Sequence, residues 1–260
     1  MNIMNKITVQ HRTLRDILKV NSGQKFHNFF IEYAIKQYQF ICRKQGTELG
    51  KALILGSSEA EALIFKKFPF KKILLTSLNP PTKKILEIIK GDSRITYQRQ
   101  NIEKLSPASK SYDFVFCKEA LHHLPRPILG LYEMLRVCKH AVIIIEPYKT
   151  LIGRILELFN LSSIYETNQK GNIKFRNNFV YRWDKNQLRN ILNSYYLKSG
   201  YHLNLTLCWL SNKYGNNSFV IKYLLGFIGW LLSFIPYNRG NYMTALILPG
   251  LDIPQDPFAL

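Results

Sequence analysis

Residues 51–77, KALILGSSEAEALIFKKFPFKKILLTS, decide the fold. Ala52-Leu53-Ile54-Leu55 is a short, wholly apolar run, the composition of a strand covered on both faces. Gly56 ends it, Ser57 or Ser58 can cap a helix that follows, and Glu59 and Glu61 suit the positive first turn of that helix. Lys72-Ile73-Leu74-Leu75-Thr76-Ser77 is a second apolar run. Strand, tight turn, helix and strand make half of a doubly wound sheet, whose ligand sits beyond the carboxyl ends of its strands. Those ends fall here at residues 56–59 and 77–79.

Downstream, Pro80-Pro81 starts a helix to about Ile89, with proline in the first turn, where its missing N–H costs nothing. Residues 94–98 read as a modest third strand, 101–111 as a loop, and 112–117 as a fourth strand that leads into 119–124. An amphipathic helix spans 127–137, and residues 141–145 form the most apolar strand, expected at the centre, followed by Glu146-Pro147-Tyr148. Asp184, with Gln187 three residues on, opens a helix to about 197, and 201–210 and 242–248 alternate as strands. Upstream, residues 11–45 read as two helices, the second with Phe26, Phe29, Phe30, Tyr33, Ala34 and Ile41 on one side. The expected organisation is α/β with a largely parallel sheet. Residues 1–46 form a helical cover, and 47–260 form the sheet domain, with insertions at 149–182 and 211–240.

Lysine and arginine total 36 against 17 acids, a net charge of +19. Nucleic acid, an anionic membrane surface or an anionic substrate would each suit this charge, as would a lysine-rich composition alone. The basic residues are spread along the chain, and no nucleic-acid recognition motif accompanies them. The four cysteines (Cys42, Cys117, Cys138, Cys208) include no C-x-x-C pair, which argues against a zinc site or disulfide framework and fits a reducing, cytoplasmic compartment. Residues 1–10 lack the apolar core of a signal peptide. No charge occurs from 223 to 235, yet the stretch is shorter than the ~20 residues of a membrane span. Residues 219–235 read either as a buried helix over a substrate or as a peripheral membrane contact.

The segments ALILGSSEA, LLTSLNPP, QNIEKLSPASKSYDFVFCKEALHHL and HAVIIIEP together resemble the class I S-adenosylmethionine-dependent methyltransferases, the quinone-biosynthesis group in particular, over residues 45–148. The resemblance implies a Rossmann-like doubly wound, mostly parallel seven-stranded sheet with a C-terminal antiparallel hairpin. It implies S-adenosylmethionine as cofactor. The matching positions are Leu55, Gly56, Ser57, Ser58 and Glu59 in the first loop, and Ser77 and Leu78 after the second strand. Asn101 and Ile102 match after the third strand, and Cys117 and Lys118 at the end of the fourth. The chain departs from the family pattern at several points. Ile54 replaces an acid, Ser58 and Ala60 replace two of three glycines, and Ser77 and Asn101 replace the acids that face the ribose and the adenine. Exchanging charged acceptors for neutral ones would weaken cofactor binding by about 10- to 100-fold if nothing compensates.

His122 and His123 follow the fourth strand, either as packing residues or as a base at the pocket mouth. Glu146 and Tyr148 end the fifth strand on the same side, and a desolvated Glu146 could act as a base. Phe30, Tyr33, Phe227 and Trp230 are expected to line the acceptor site. The implied activity is methyl transfer to a small, hydrophobic or lipid-like acceptor. The rival is a methyltransferase-like protein that no longer methylates and serves as a partner subunit or reuses its pocket. The triplet Asn79-Pro80-Pro81 is similar to the N-P-P motif of amino-methylating nucleic-acid enzymes, but it follows the second strand, not the fourth, and reads as a helix start.

Overall fold

The apolar runs at 52–55, 72–77, 112–117 and 141–145 each become a strand of one sheet. The computed structural model describes residues 6–11, 23–150, 165–166, 178–179, 181–196, 200–208 and 242–249. In chain order the elements are β1 (Lys6–His11), α1 (Gly23–Lys44), β2 (Lys51–Leu55), α2 (Glu59–Lys66), β3 (Lys72–Ser77), α3 (Lys83–Ile89), β4 (Ile95–Arg99) and β5 (Tyr112–Lys118). A single 3-10 turn (Leu121–His123) follows, then α4 (Pro127–Val137), β6 (Cys138–Pro147), the two-residue strands β7 (Tyr165–Glu166) and β8 (Asn178–Phe179), α5 (Lys185–Tyr195), β9 (Tyr201–Cys208) and β10 (Tyr242–Pro249).

The main sheet has eight strands in the order β1-β9-β10-β6-β5-β2-β3-β4. Only β10 runs against the rest: it is antiparallel to both β6 and β9, while β1 lies parallel to β9. Seven of these strands are the expected ones. The eighth corrects the sequence reading, which gave the N-terminal region as helical throughout. Residues 6–11, KITVQH, form an edge strand instead. Only one helix, α1, is described in the region where two were expected. Most of the insertions expected at 149–182 and 211–240, including the helix expected in the first, lies outside the described residues.

Helices cover both faces. On one, Ile31, Ile35 and Tyr38 of α1, Ala62 and Phe65 of α2 and Ile85 of α3 pack on Ile54, Phe114, Phe116 and Ile143. The Tyr38 ring lies tilted, 5.0 Å from that of Phe114, and Ala34 and Ile41 of the expected stripe are buried with it. On the other face, Leu131, Met134 and Leu135 of α4 and Leu188, Ile191 and Leu192 of α5 cover Leu53, Leu55, Val115 and Ile144. Ile54, at the position of the family's acid, is fully buried and serves as an ordinary core residue.

The Glu133–Arg136 pair of α4 holds the loop after β4. Glu133 accepts from the Leu105 N–H at 2.8 Å and from Arg136 at 2.7 and 2.8 Å, and Arg136 reaches the Pro107 and Leu105 carbonyls. The Arg136 guanidinium holds the Glu133 carboxyl below its ordinary range. A depressed carboxyl contributes stability above its unfolded-state pKa and loses it as pH falls through the folded-state value. Glu133→Gln is therefore expected to cost about 1–3 kcal/mol at neutral pH. The gap from the parent should close on acidification below the usual carboxylate range, as read by urea denaturation at several pH values.

Candidate functional site

The carboxyl ends of β2, β3, β4 and β5 define one rim of the sheet, and the candidate site lies there. Gly56 turns the chain out of β2 with φ +63°, a left-handed conformation that side chains resist. A Cβ at this position would meet the Ala120 methyl at 2.6 Å, so the turn packs tightly against the segment leaving β5. Ser57 is buried, and both its N–H (2.8 Å) and its hydroxyl (3.0 Å) donate to the Thr76 carbonyl. Ser57 thus ties the turn to β3. Ser58 caps α2 in a reciprocal box: its hydroxyl accepts from the Ala60 N–H, and its own N–H donates to Glu61 Oε2 at 2.8 Å.

Glu61, which the sequence marked only as a favourable first-turn charge, is 3% exposed and anchors an ionic chain across the rim. Its Oε1 lies 3.2 Å from Lys118 Nζ, and Lys118 also reaches Glu119 Oε2 at 3.3 Å. The Tyr242 hydroxyl donates to Glu119 Oε1. Burial alone would lower the Lys118 ammonium, but the two carboxylates outweigh it and hold its pKa above the ordinary value. Glu119 itself has φ +48°, a strained backbone of the kind that gathers at functional sites. Leu55 and Cys117 are fully buried, so only their backbone can face a ligand, and burial pushes the Cys117 thiol well up. Burial also pushes Cys138 up to about 12, which leaves both as poor nucleophiles.

At the β3 and β4 ends, Ser77 is half-buried and Leu78 is exposed. Asn79 N–H approaches Ser77 Oγ at 3.4 Å, and Arg99 Nε donates to the Leu78 carbonyl at 3.0 Å. Asn101 is exposed, and its amide oxygen accepts the Glu103 N–H at 3.0 Å, so it shapes its own turn, while Ile102 is buried beneath it. Glu59 turns toward α3, with Lys84 at 2.6 Å and the Thr82 hydroxyl at 3.4 Å.

The expected bases lie behind the rim, at the end of β6 and in the turn after β5. Glu146 is fully buried; its Oε1 accepts the Ala120 and Leu121 N–H groups at 3.1 and 2.9 Å, and its Oε2 lies 2.6 Å from His122 Nδ1. These contacts pin the turn after β5 to the end of β6. His122 is 2% exposed and stacks at 4.0 Å on the exposed His123. Tyr148 is half-buried beside α5, its backbone bridged to Trp183, and burial raises its hydroxyl. The structure brings together Gly56, Ser57, Ser58, Glu61, Lys118, Glu119 and Ala120 through direct contacts, with Glu146 and His122 directly behind. Tyr33 lies on α1, where its hydroxyl accepts from Gln37 at 2.8 Å. Phe30 falls within α1, but its side chain, like Phe227 and Trp230, lies outside the described residues. Glu61 had a legible signal in the Ser58-x-x-Glu61 spacing, whereas Glu119, Tyr242 and Arg99 had none.

Residues 55–145 match the family model described as a methyltransferase domain. No curated protein matches the chain. Among solved structures, the chain is similar to one from the complex of the Haloferax volcanii Trm112 methyltransferase activator with a methyltransferase. That similarity has a TM-score of 0.53 at 10% identity, over 85% of this chain and 94% of that one. It is also similar to an S-adenosylmethionine-dependent methyltransferase of Listeria monocytogenes, with a TM-score of 0.51 at 15% identity, covering 89% and 99% of the two chains. A third is phosphoethanolamine N-methyltransferase 2 of Haemonchus contortus, with a TM-score of 0.51 at 14% identity, covering 92% and 60%. The fold is therefore the Rossmann-like fold of these methyltransferases. Among the described residues, no helix is long and apolar enough to cross a membrane, and no group of side chains could hold a metal ion.

Proposed function

We propose that the chain transfers the methyl group of S-adenosylmethionine to a small acceptor. The observation that carries this reading is the positive-φ turn at Gly56, which opens the rim between β2 and α2 within the segment that matches the methyltransferase domain. The acceptor's lone pair would attack the sulfonium methyl carbon, and the C–S electrons would return to sulfur. The protein's part is to hold the two reactants in line. His122 and Glu146 are committed to each other and to backbone donors, so they support the rim, and the acceptor must be nucleophilic without them.

The hydrophobic or lipid-like acceptor is motivated by the uncharged run at 223–235. β9 ends and β10 begins on the same carboxyl rim. A peripheral membrane contact through 219–235 is the competing role for that run, and liposome co-sedimentation separates the two. The second reading is a methyltransferase-like protein that no longer methylates. It is favoured by the absence of an acid at Ser77, for which Glu59, bound to Lys84, does not substitute.

Calorimetric titration with S-adenosylmethionine and S-adenosylhomocysteine tests the cofactor. The parent is expected to bind both, and Ser77→Asp to bind several-fold more tightly, because a carboxylate there can accept from both ribose hydroxyls. No binding by parent or variant would overturn methyl transfer.

A further inference from the structure

The β3–β4 end of the rim holds a positioned guanidinium and no carboxylate that is free to grip a sugar. Ser77 and Arg99 are register partners on adjacent parallel strands, so their side chains leave the same face of the sheet side by side. The bond from Arg99 Nε to the Leu78 carbonyl, 3.0 Å, fixes the guanidinium over the turn that leaves β3. Its two terminal nitrogens have no partner among the described residues. Every neighbouring carboxylate is already engaged: Glu59 by Lys84, Glu61 and Glu119 by Lys118, and Glu103 by Arg126. In doubly wound sheets this position decides the sugar: an acid bonds free ribose hydroxyls, while a nearby arginine accommodates a phosphate on the ribose. The planar fork of arginine matches a phosphate in two parallel bonds, and the Ser77 hydroxyl can add a donor. Leu78, 56% exposed beside them, offers an apolar face to a base.

We infer that this end of the pocket binds an adenine nucleotide whose ribose carries a 2′- or 3′-phosphate. The inference shares the pocket of the proposed function but does not depend on methyl transfer.

The test is calorimetric titration of the full chain with adenosine, its 2′-, 3′- and 5′-monophosphates and S-adenosylhomocysteine. The 5′-monophosphate controls for general attraction to a protein of net charge +19. The 2′- or 3′-monophosphate is expected to bind at least about 10-fold more tightly than adenosine and the 5′ isomer. Arg99→Ala should erase that preference, Arg99→Lys should retain part of it, and Ser77→Asp should reduce it by setting a negative charge against the phosphate. Arg99 is exposed, so an unchanged melting temperature verifies the fold of the variant. Equal affinities, a preference that survives Arg99→Ala, or no nucleotide binding would each overturn the inference. Binding of S-adenosylhomocysteine without phosphate preference would sink it alone and leave methyl transfer standing. Phosphate-selective binding without S-adenosylhomocysteine binding would do the reverse.

Discussion

Gly56→Val is expected to lower stability by about 2–6 kcal/mol and to abolish cofactor binding in whatever folded protein remains. Two costs combine. A β-branched residue at φ +63° carries backbone strain of about 1–3 kcal/mol. Its Cβ would also fall 2.6 Å from the Ala120 methyl, and overpacking of that kind costs about 1–3 kcal/mol more. Against a typical total of about 5–15 kcal/mol this is a large loss. The two parts can be separated. Gly56→Ala alone suffers both strain and contact, whereas Gly56→Ala combined with Ala120→Gly keeps only the strain. Urea denaturation should place the double variant between Gly56→Ala and the parent. A Gly56→Val protein with the parent's midpoint would show that the turn does not need its left-handed conformation.

Glu146→Ala should have the second large effect, about 3–5 kcal/mol. It removes the acceptor of the half-buried Ala120 N–H and the buried Leu121 N–H and the partner carboxylate of His122 Nδ1, and each unmet buried donor costs about 1–3 kcal/mol. Glu146→Gln keeps one acceptor oxygen and should fall between. The base reading makes a different forecast: unchanged stability and lost turnover. A Glu146→Gln protein that melts with the parent but does not turn over would restore Glu146 as a base.

The parts of the fold that were legible in the sequence share one physical property. The centres of β2, β3, β5 and β6 are buried on both faces, so Ala52–Leu55, Ile73–Leu75, Phe114–Cys117 and Ala141–Ile145 are apolar without a break. The cap at Ser58 was legible for a related reason, since its partner Glu61 is three residues away. What escaped notice depends on distant partners. β1 carries polar residues and becomes a strand only because β9 accepts its backbone. That Lys118 joins Glu61 to Glu119 is fixed only by the fold, since Glu61 lies on a different element. Arg99 is one cation among 36 until its register places it beside Ser77. Glu146 could be marked as a carboxylate at a strand end, but only the fold reveals that three donors already converge on it.

The position of β10 sets an order of events during synthesis. This strand comes last among the described elements, yet it lies inboard, between β6 and β9. Until it emerges, a nascent chain can assemble β2 to β6 from neighbouring segments, but the outer edge of β6 stays open. β9 has nothing to dock on, and β1, made first, must wait for β9. Such long-range pairings form slowly, because loop closure has to precede the contacts that reward it. An unpaired strand with an apolar centre such as β6 is prone to join another chain in the interval. β1 thus precedes every other described strand in synthesis yet is placed after all of them, beside a seam that β10 must fill first.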